Sequence, residues 1–326
     1  VATALVDSAT LALSTSANTP DATLVIANEG SANDQKDLVT LLNFDLRAEK
    51  DAVSVTDLTA TVSKTGTGTA TATTAYLYNG LTLIGSATID GSTGKAYFSD
   101  IDFTVSKDTT TSYTLKADIR TANTTAANLT ATLAGGTPSA TVAGIAAENQ
   151  SGSNVAESGS ATGKTMIVVT KGPQFTLVSA PIVKSATSAQ NNTSTSTAAG
   201  NFTIHIKAIG GNVTFSAAPV GLTNAYGTAV GNGAFLFGTY KANALTTLLV
   251  ASTTGFGSLP SQFTANGTTQ YTLSQNQEVD VPVNFLFEGR TTAGVAVATD
   301  NYGIGLEGIA WGIDGAATTS STFMSG

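Results

Sequence analysis

Large apolar residues recur at every second position along many short segments of this 326-residue chain. Leu42, Phe44 and Leu46 alternate with polar residues, and Tyr113 and Leu115 belong to a second run of the same kind. Side chains of a β-strand point alternately to its two faces, so a period of two indicates strands with one buried face. No segment carries the apolar stripe with a period of 3.6 residues that is typical of a helix. The pattern therefore predicts an all-β fold.

Residues typical of turns separate these runs. Asn79-Gly80 lies between two apolar runs, and this dipeptide is a strong hairpin signal because both central turn positions then take positive φ. Asp90–Gly94 predicts a second hairpin. Pro282 interrupts the long run Val279–Phe287 and predicts a sheet edge or a bulge there. Short strands spaced about 8–12 residues apart with such turns are typical of a β-sandwich or a β-barrel.

The same strand signature occurs twice along the chain. An Asn-Phe strand opens each copy, at Asn43 and at Asn201, and a second matched block follows each of them. Repeats of this length are whole domains, because solenoid units recur every ~20–50 residues. Lys171-Gly172-Pro173 lies between the copies, where Gly and Pro end the preceding strand. We therefore predict two tandem β-sandwich domains, residues 1–171 and 172–326, with the phenylalanine after each asparagine in the core.

Two stretches break the strand pattern. Residues 137–163 and 185–200 are poor in large apolar side chains. Segments that bury little apolar surface do not offset the entropy lost on ordering. We expect both to be loose.

The N-terminal segment, residues 1–17, has two interpretations. Leu5, Leu11 and Leu13 are spread through Thr, Ser and Ala, and Asn18–Asp21 forms a hinge before the next strand. The segment is either the first strand of the first domain or an arm that completes the sheet of a neighbouring subunit. Strand addition of this kind takes its affinity from the backbone ladder and its register from alternate side chains. Under the second interpretation, these three leucines are the assembly residues.

Charge and cysteine content exclude several classes of function. Only 11% of the residues are charged, and the net charge is −8. A chain without a basic patch does not neutralise phosphates, so nucleic-acid binding is not expected, and anionic membranes would repel it. The chain has no cysteine and no apolar run near the ~20 residues that span a bilayer. It begins at Val1 without an initiator Met or a leader, which fits either a trimmed chain or a secreted protein whose signal peptide has been removed, and we expect the second, with an extracellular location.

Carboxylates provide the best candidates for a metal site. Asp90, Asp100 and Asp102 lie near the second predicted hairpin, and Ca²⁺ prefers several oxygen ligands in loops of this kind. The spacing does not match an EF-hand loop, so solvated surface acids are the competing interpretation. No other cofactor is predicted.

The other residues that could take part in binding or catalysis are better explained by structural roles. His205 alternates with Ile204 and Ile206, so it is predicted to face solvent, and the chain has no second histidine to complete a metal site. Trp311 and Tyr302 share one predicted strand, and other aromatic residues lie elsewhere in the second half, at Tyr226, Phe235, Phe237 and Tyr240. Such aromatic residues can form a platform for sugar rings, although core packing is their more common role.

The matched blocks resemble the immunoglobulin-like β-sandwich repeats of large surface proteins from uncultivated, small-genome bacteria and related envelope proteins. The resemblance rests on the Asn-Phe strand followed by LYNG…LIGSATIDG and FTVSKDTTTSYTLKADI, within Leu41–Ile119. In the second copy Phe235–Val250 replaces the LYNG hairpin. The resemblance implies immunoglobulin-like domains, extracellular display and no known catalytic residues.

These observations predict a non-enzymatic structural protein. We expect a self-assembling subunit of a cell-surface filament or S-layer-type lattice, with the chain itself as partner and with strand donation as the means of assembly. The alternative is an adhesin or carbohydrate-binding surface module with glycans as partners. Polymer formation by the purified protein favours the first, and saturable glycan binding by a monomer favours the second.

Overall fold

The computed structural model describes residues 8–28, 36–190, 193–216, 230–232, 235–241, 244–246, 249–254, 260–266, 270–290, 295–296, 300–313 and 321–322. All regular secondary structure in these residues is β-strand, which confirms the all-β prediction. In the same residues no helix is long and apolar enough to cross a membrane. The chain divides into two compact units, Val1–Thr170 and Lys171–Gly326.

The described residues of the first unit contain thirteen strands joined into one sheet. They are β1 (Thr10–Thr15), β2 (Leu24–Ile26), β3 (Lys36–Glu49), β4 (Val53–Thr65), β5 (Thr71–Asn79), β6 (Thr82–Thr88), β7 (Lys95–Phe98), β8 (Phe103–Val105), β9 (Thr110–Arg120), β10 (Ala127–Ala134), β11 (Gly144–Asn149), β12 (Ala156–Thr162) and β13 (Met166–Val169).

The strand order in this unit is β11-β4-β10-β12-β1-β3-β9-β5-β6. Strands β7 and β8 pair with β4, and β13 pairs with β10 and β2. An isolated bridge between Ile89, just after β6, and Ala96 of β7 connects the far end of this path back to β4. The pairing therefore runs in a closed circuit from β4 through β10, β12, β1, β3, β9, β5, β6 and β7.

Alternation along the strands places the predicted apolar faces inside. Phe44 is 0% exposed, which confirms its predicted core position, and its ring stacks on Tyr113 with 5.7 Å between ring centroids. Phe103 packs on the same tyrosine at 4.7 Å. Burial raises the pKa of Tyr113 to about 12, because the phenolate would lose its hydration.

The second unit contains the remaining strands. They are β14 (Gly172–Ser179), β15 (Ile182–Gln190), β16 (Thr193–Ile209), β17 (Val213–Ser216), β18 (Val230–Asn232), β19 (Phe235–Lys241), β20 (Ala244–Thr246), β21 (Leu249–Thr254), β22 (Phe263–Asn266), β23 (Gln270–Leu273), β24 (Glu278–Glu288), β25 (Tyr302–Ile313) and β26 (Ser321–Thr322).

The described strands of the second unit form two sheets. The smaller has the order β14-β16-β24-β21, with β15 also paired to β16. The larger has the order β18-β19-β25-β17-β23-β22, with β20 on β19 and β26 on β25. Phe202 is buried, as predicted, and Phe215 contacts Phe263 edge-on with 5.8 Å between ring centroids.

The two stretches that we expected to be loose contain strands. Residues 137–163 include β11 and β12, and residues 185–200 include most of β15 and the start of β16. Strands β15 and β16 pair antiparallel from Ile182 opposite Gly200 to Gln190 opposite Thr193. The expectation was wrong because a backbone ladder satisfies its own N–H and C=O groups without large side chains. The immunoglobulin-like arrangement of two sandwiches stays a prediction.

Candidate functional site

Strand β1 is the element on which the assembly prediction depends. It runs antiparallel to β3, from Thr10 opposite Glu49 to Thr15 opposite Phe44. It runs parallel to β12, from Thr10 opposite Ala156 to Ser14 opposite Ser160. Among the described strands, β1 alone joins β3 to β12 in the sheet order, so this strand closes the circuit of the first unit.

The predicted assembly leucines fall partly within this strand. Leu11 and Leu13 are 1% and 5% exposed and belong to the core of the first unit, whereas Ala12 between them is exposed. Leu5 lies outside the described residues. Of the two interpretations of the N-terminal segment, this structure contains the strand within its own sheet.

A glycine lets β1 approach β12. Gly159 lies opposite Leu13 in the parallel pair and has a φ of +87°. A Cβ atom at this position would lie 2.2 Å from the Leu13 carbonyl oxygen, closer than nonbonded atoms approach. Glycine is thus required both for the backbone conformation and for the contact.

The turn that follows β1 is hydrogen-bonded to a single residue of β3, Asn43. The Asn43 carbonyl oxygen accepts hydrogen bonds from Ser16 N–H at 3.0 Å and from the Thr19 hydroxyl at 2.6 Å. The Asn43 side-chain amide donates to the Asn18 carbonyl at 2.6 Å. Its Oδ1 atom is buried without a hydrogen-bond partner. The predicted hinge therefore begins at a hydrogen-bonded corner on β3.

Asp90, the first calcium candidate, organises a turn. Its Oδ1 atom accepts hydrogen bonds from the Ser92 hydroxyl at 2.6 Å and N–H at 3.1 Å. It also accepts from the Thr93 N–H at 2.7 Å and hydroxyl at 2.9 Å. These donors favour the carboxylate, and the Ser92 hydroxyl first among them lowers the pKa of Asp90 to about 2.

Asp100 and Asp102 lie in the turn between β7 and β8. Both have positive φ, of 52° and 34°, and both are exposed. Between them, Ile101 donates its N–H to the Thr56 carbonyl of β4 at 3.0 Å, which fixes the turn. Among the described residues, no group of three or more His, Cys, Asp or Glu side chains is placed to hold a metal ion. The three aspartates are therefore not brought together as one ligand set.

His205 faces away from the core, as its neighbours predicted. Ile204 and Ile206 are 0% exposed. The Nδ1 atom of His205 lies 2.7 Å from Asp280 Oδ1, and its Nε2 atom lies 3.9 Å from Glu278. Asp280 is directly opposite on β24. The sequence does not predict this acidic partner, because the register of two distant strands decides which residue lies opposite His205.

The first unit also contains a buried polar cluster that the sequence did not predict. Asp118, 7% exposed, accepts hydrogen bonds from the Leu38 N–H at 3.0 Å and the Tyr76 hydroxyl at 2.8 Å. The hydrogen bond to Asp118 raises the pKa of Tyr76. Arg120 lies 2.8 Å from Asp37 and 3.5 Å from Asp118. The cluster ties β3, β5 and β9 together, which indicates a structural role.

The aromatic residues considered for sugar binding are mostly packed. Trp311 is 9% exposed and Phe235 is 1% exposed. Tyr302 and Tyr240 are half-buried, and in the pairing of β19 with β25 Tyr240 lies opposite Gly303 and Tyr302 opposite Lys241. Core packing is therefore the role that the structure gives to Trp311 and Phe235.

Comparisons with known proteins leave the chain without an assigned family. No family model matches it. No curated protein matches it either. Among solved structures, it aligns with the chaperone–tip adhesion subunit pre-assembly complex CsuC–CsuE from the archaic chaperone-usher Csu pili of Acinetobacter baumannii. The identity is 9%, the alignment covers 89% of this chain and 98% of that chain, and the TM-score is 0.18. A score this low carries no argument about fold or function.

Proposed function

We propose that this chain is a non-enzymatic structural protein of the cell exterior that assembles with copies of itself by exchanging strand β1. The observation that carries the proposal is the position of β1. It is the first strand described, and no other strand in the described part of the chain joins β3 to β12 in the sheet order. The filament or S-layer-type lattice expected from the sequence would be the product of this exchange.

Strand β1 is suited to exchange because both of its partners, β3 and β12, follow it in the sequence, and the predicted hinge Asn18–Asp21 separates it from them. Its departure would expose two strand edges, on β3 and on β12, and the apolar slot that holds Leu11 and Leu13. The β1 strand of another copy would make the same contacts in that slot. Exchange of identical elements is therefore a low-cost route to association.

The geometry of exchange determines the kind of assembly. Each copy would present one vacated slot and one free strand, so the donor and acceptor surfaces are different. Such a head-to-tail contact gives a ring when the rotation closes and an open filament when it does not. The low proportion of charged residues, 11%, and the cysteine-free sequence fit a secreted subunit that needs no disulfides.

Disulfide trapping tests where β1 resides. Ala12 and Arg47 lie directly opposite each other on β1 and β3, and both side chains are exposed. Opposite residues on antiparallel strands have Cα atoms about 4.5–5.5 Å apart, within the range of about 4.4–6.8 Å for a disulfide. Because the chain contains no cysteine, the Ala12→Cys and Arg47→Cys pair is the only thiol pair in the variant.

The expected result is a ladder of covalent oligomers when the assembled protein is oxidised and run on a non-reducing gel. Each single-cysteine variant is the control and should stay monomeric on that gel. A disulfide formed only within single chains, in protein that is assembled by electron microscopy, would refute strand exchange. Protein that stays monomeric under all conditions would refute self-assembly.

A further inference from the structure

Strands β14 and β15 form one edge of the five-stranded sheet. Both pair with the same side of β16, β14 from Gly172 opposite Ile209 and β15 from Ile182 opposite Gly200. A register shift after Leu177 and the dipeptide Ala180-Pro181 separate them. In the described part of the chain, no strand pairs with their outer side.

This edge is apolar and exposed on both faces. Leu177, Val178, Ile182 and Val183 are 44%, 55%, 55% and 51% exposed. They are four of the ten exposed large apolar residues found in the described chain. No charged residue occurs from Gly172 to Val183. Edge strands are normally protected by charges, so this edge lacks the common protection against pairing with another strand.

Pro181 does not protect the outer side either. Its carbonyl oxygen accepts a hydrogen bond from Asn201 N–H at 3.0 Å, so the backbone groups of Pro181 face β16. The N–H that proline lacks is therefore missing on the inner side. Backbone groups alternate in direction along an antiparallel strand, so Ala180 and Ile182 direct their N–H and C=O groups outward.

We propose that this edge, residues 179–183, pairs antiparallel with the same edge of a second copy of this chain. A two-fold axis at Pro181 would place Ala180 opposite Ile182 of the second copy, so that each of these residues both donates and accepts. Pro181 would then lie opposite its own counterpart in a position where no hydrogen bond is required. Ser179 would lie opposite Val183, on the same face of both strands.

The absence of charge is the argument for a second copy as the partner. The protein carries a net charge of −8, so two copies repel each other in general. Residues 172–183 contribute none of that charge, and Lys184 comes after the paired segment. Identical strands can therefore meet here without like charges opposite each other. The inference rests on the proposed self-assembly but not on exchange of β1.

A single cysteine tests the two-fold register. In a non-hydrogen-bonded antiparallel pair, opposite Cα atoms are about 4.5 Å apart, which suits a disulfide. Pro181→Cys should therefore form a covalent dimer on oxidation. Thr176→Cys is the matched control, since it is exposed on the same edge, yet the two copies of Thr176 would be about 33 Å apart along the strands. Equal cross-linking of the two variants, or none in Pro181→Cys, would overturn the proposal.

Introducing a charge at residue 182 tests how much this edge contributes to association. Ile182→Lys, made in the Pro181→Cys background, should abolish the cross-link and lower the sedimentation coefficient of the uncross-linked protein in sedimentation velocity. Leu83→Lys is the control, because Leu83 is 49% exposed at a site in the first unit. Unchanged cross-linking in the Ile182→Lys variant would overturn the proposal. The outcome is independent of the β1 trap, which reports a different pair of positions.

Discussion

Replacing Leu11 by alanine tests whether β1 is packed against the core of the first unit. Leu11 is 1% exposed and lies opposite Ala48 on β3 and Glu157 on β12. The substitution keeps the β1 backbone and its hydrogen bonds, and it removes only apolar contacts with the core. It therefore measures whether the strand is packed as the structure shows.

The magnitude follows from the carbons removed. Leu→Ala deletes three carbon atoms, and about 0.8 kcal/mol per buried methylene gives about 2.4 kcal/mol of lost transfer free energy. The cavity left behind adds to this, so we expect a loss of about 2.5–5 kcal/mol in the free energy of unfolding. For a unit of this size, each kcal/mol lowers the Tm by about 2–4 °C, which gives a decrease of roughly 5–20 °C.

Leu81→Ala is the control, because it makes the same chemical change in the same unit at a residue that is 99% exposed. Circular dichroism and scanning calorimetry of both variants give the comparison, with urea unfolding for the free energy. A Leu11→Ala protein that melts within about 2 °C of Leu81→Ala, a shift of less than about 1 kcal/mol, would show that β1 is not packed in the core.

Two further predictions concern glycine and aspartate positions. Gly159→Ala should destabilise the first unit far more than Gly152→Ala. Both glycines have positive φ, but only a Cβ atom at residue 159 would collide with another group, the Leu13 carbonyl. Urea unfolding of the two variants measures the difference. For Asp90, the folded pKa of about 2 lies below the ordinary 3.8, so its contribution to stability is present above 3.8 and is lost as the pH falls through about 2. An NMR titration should give that midpoint at the Asp90 carboxyl, and Thr93→Val should raise it.

Alternation of apolar residues predicted the long strands well. The run through Phe44 became β3 and the run through Tyr113 became β9, each with its predicted face buried. Such strands have one face in water and one in the core, so burial itself selects the period of two. The signal is local, and it needs no knowledge of the partner strand.

Turns and proline positions were predicted less accurately. The first hairpin is present, but Asn79 pairs with Thr82, so its turn residues are Gly80 and Leu81. Gly80 has a φ of +57° and Leu81 does not have positive φ, so a turn with glycine first fits better than the expected Asn-Gly turn. Pro282 lies where β24 pairs only with β16 among the described residues, which agrees with a local edge.

The position of β1 between β3 and β12 could not be derived from the sequence. Its parallel partner, β12, lies in the stretch that was expected to be loose, about 146 residues away along the chain. The backbone ladder that joins them uses N–H and C=O groups that every residue has, and the polar side chains of β12 provide no apolar pattern. Gly159 was the one local signal, since an isolated glycine in a strand marks a close backbone approach.

The two proposed contacts differ in symmetry, and this difference decides what they can build together. Exchange of β1 joins unlike surfaces and extends a chain of subunits in one direction, whereas the edge at Pro181 joins like surfaces and closes as a pair. A filament made by the first contact would leave the edge of residues 179–183 uncovered on each subunit. Pairing of those edges would then join filaments side by side into double strands or a sheet. Blocking the edge should leave single filaments, and locking β1 within its own unit should leave separate pairs.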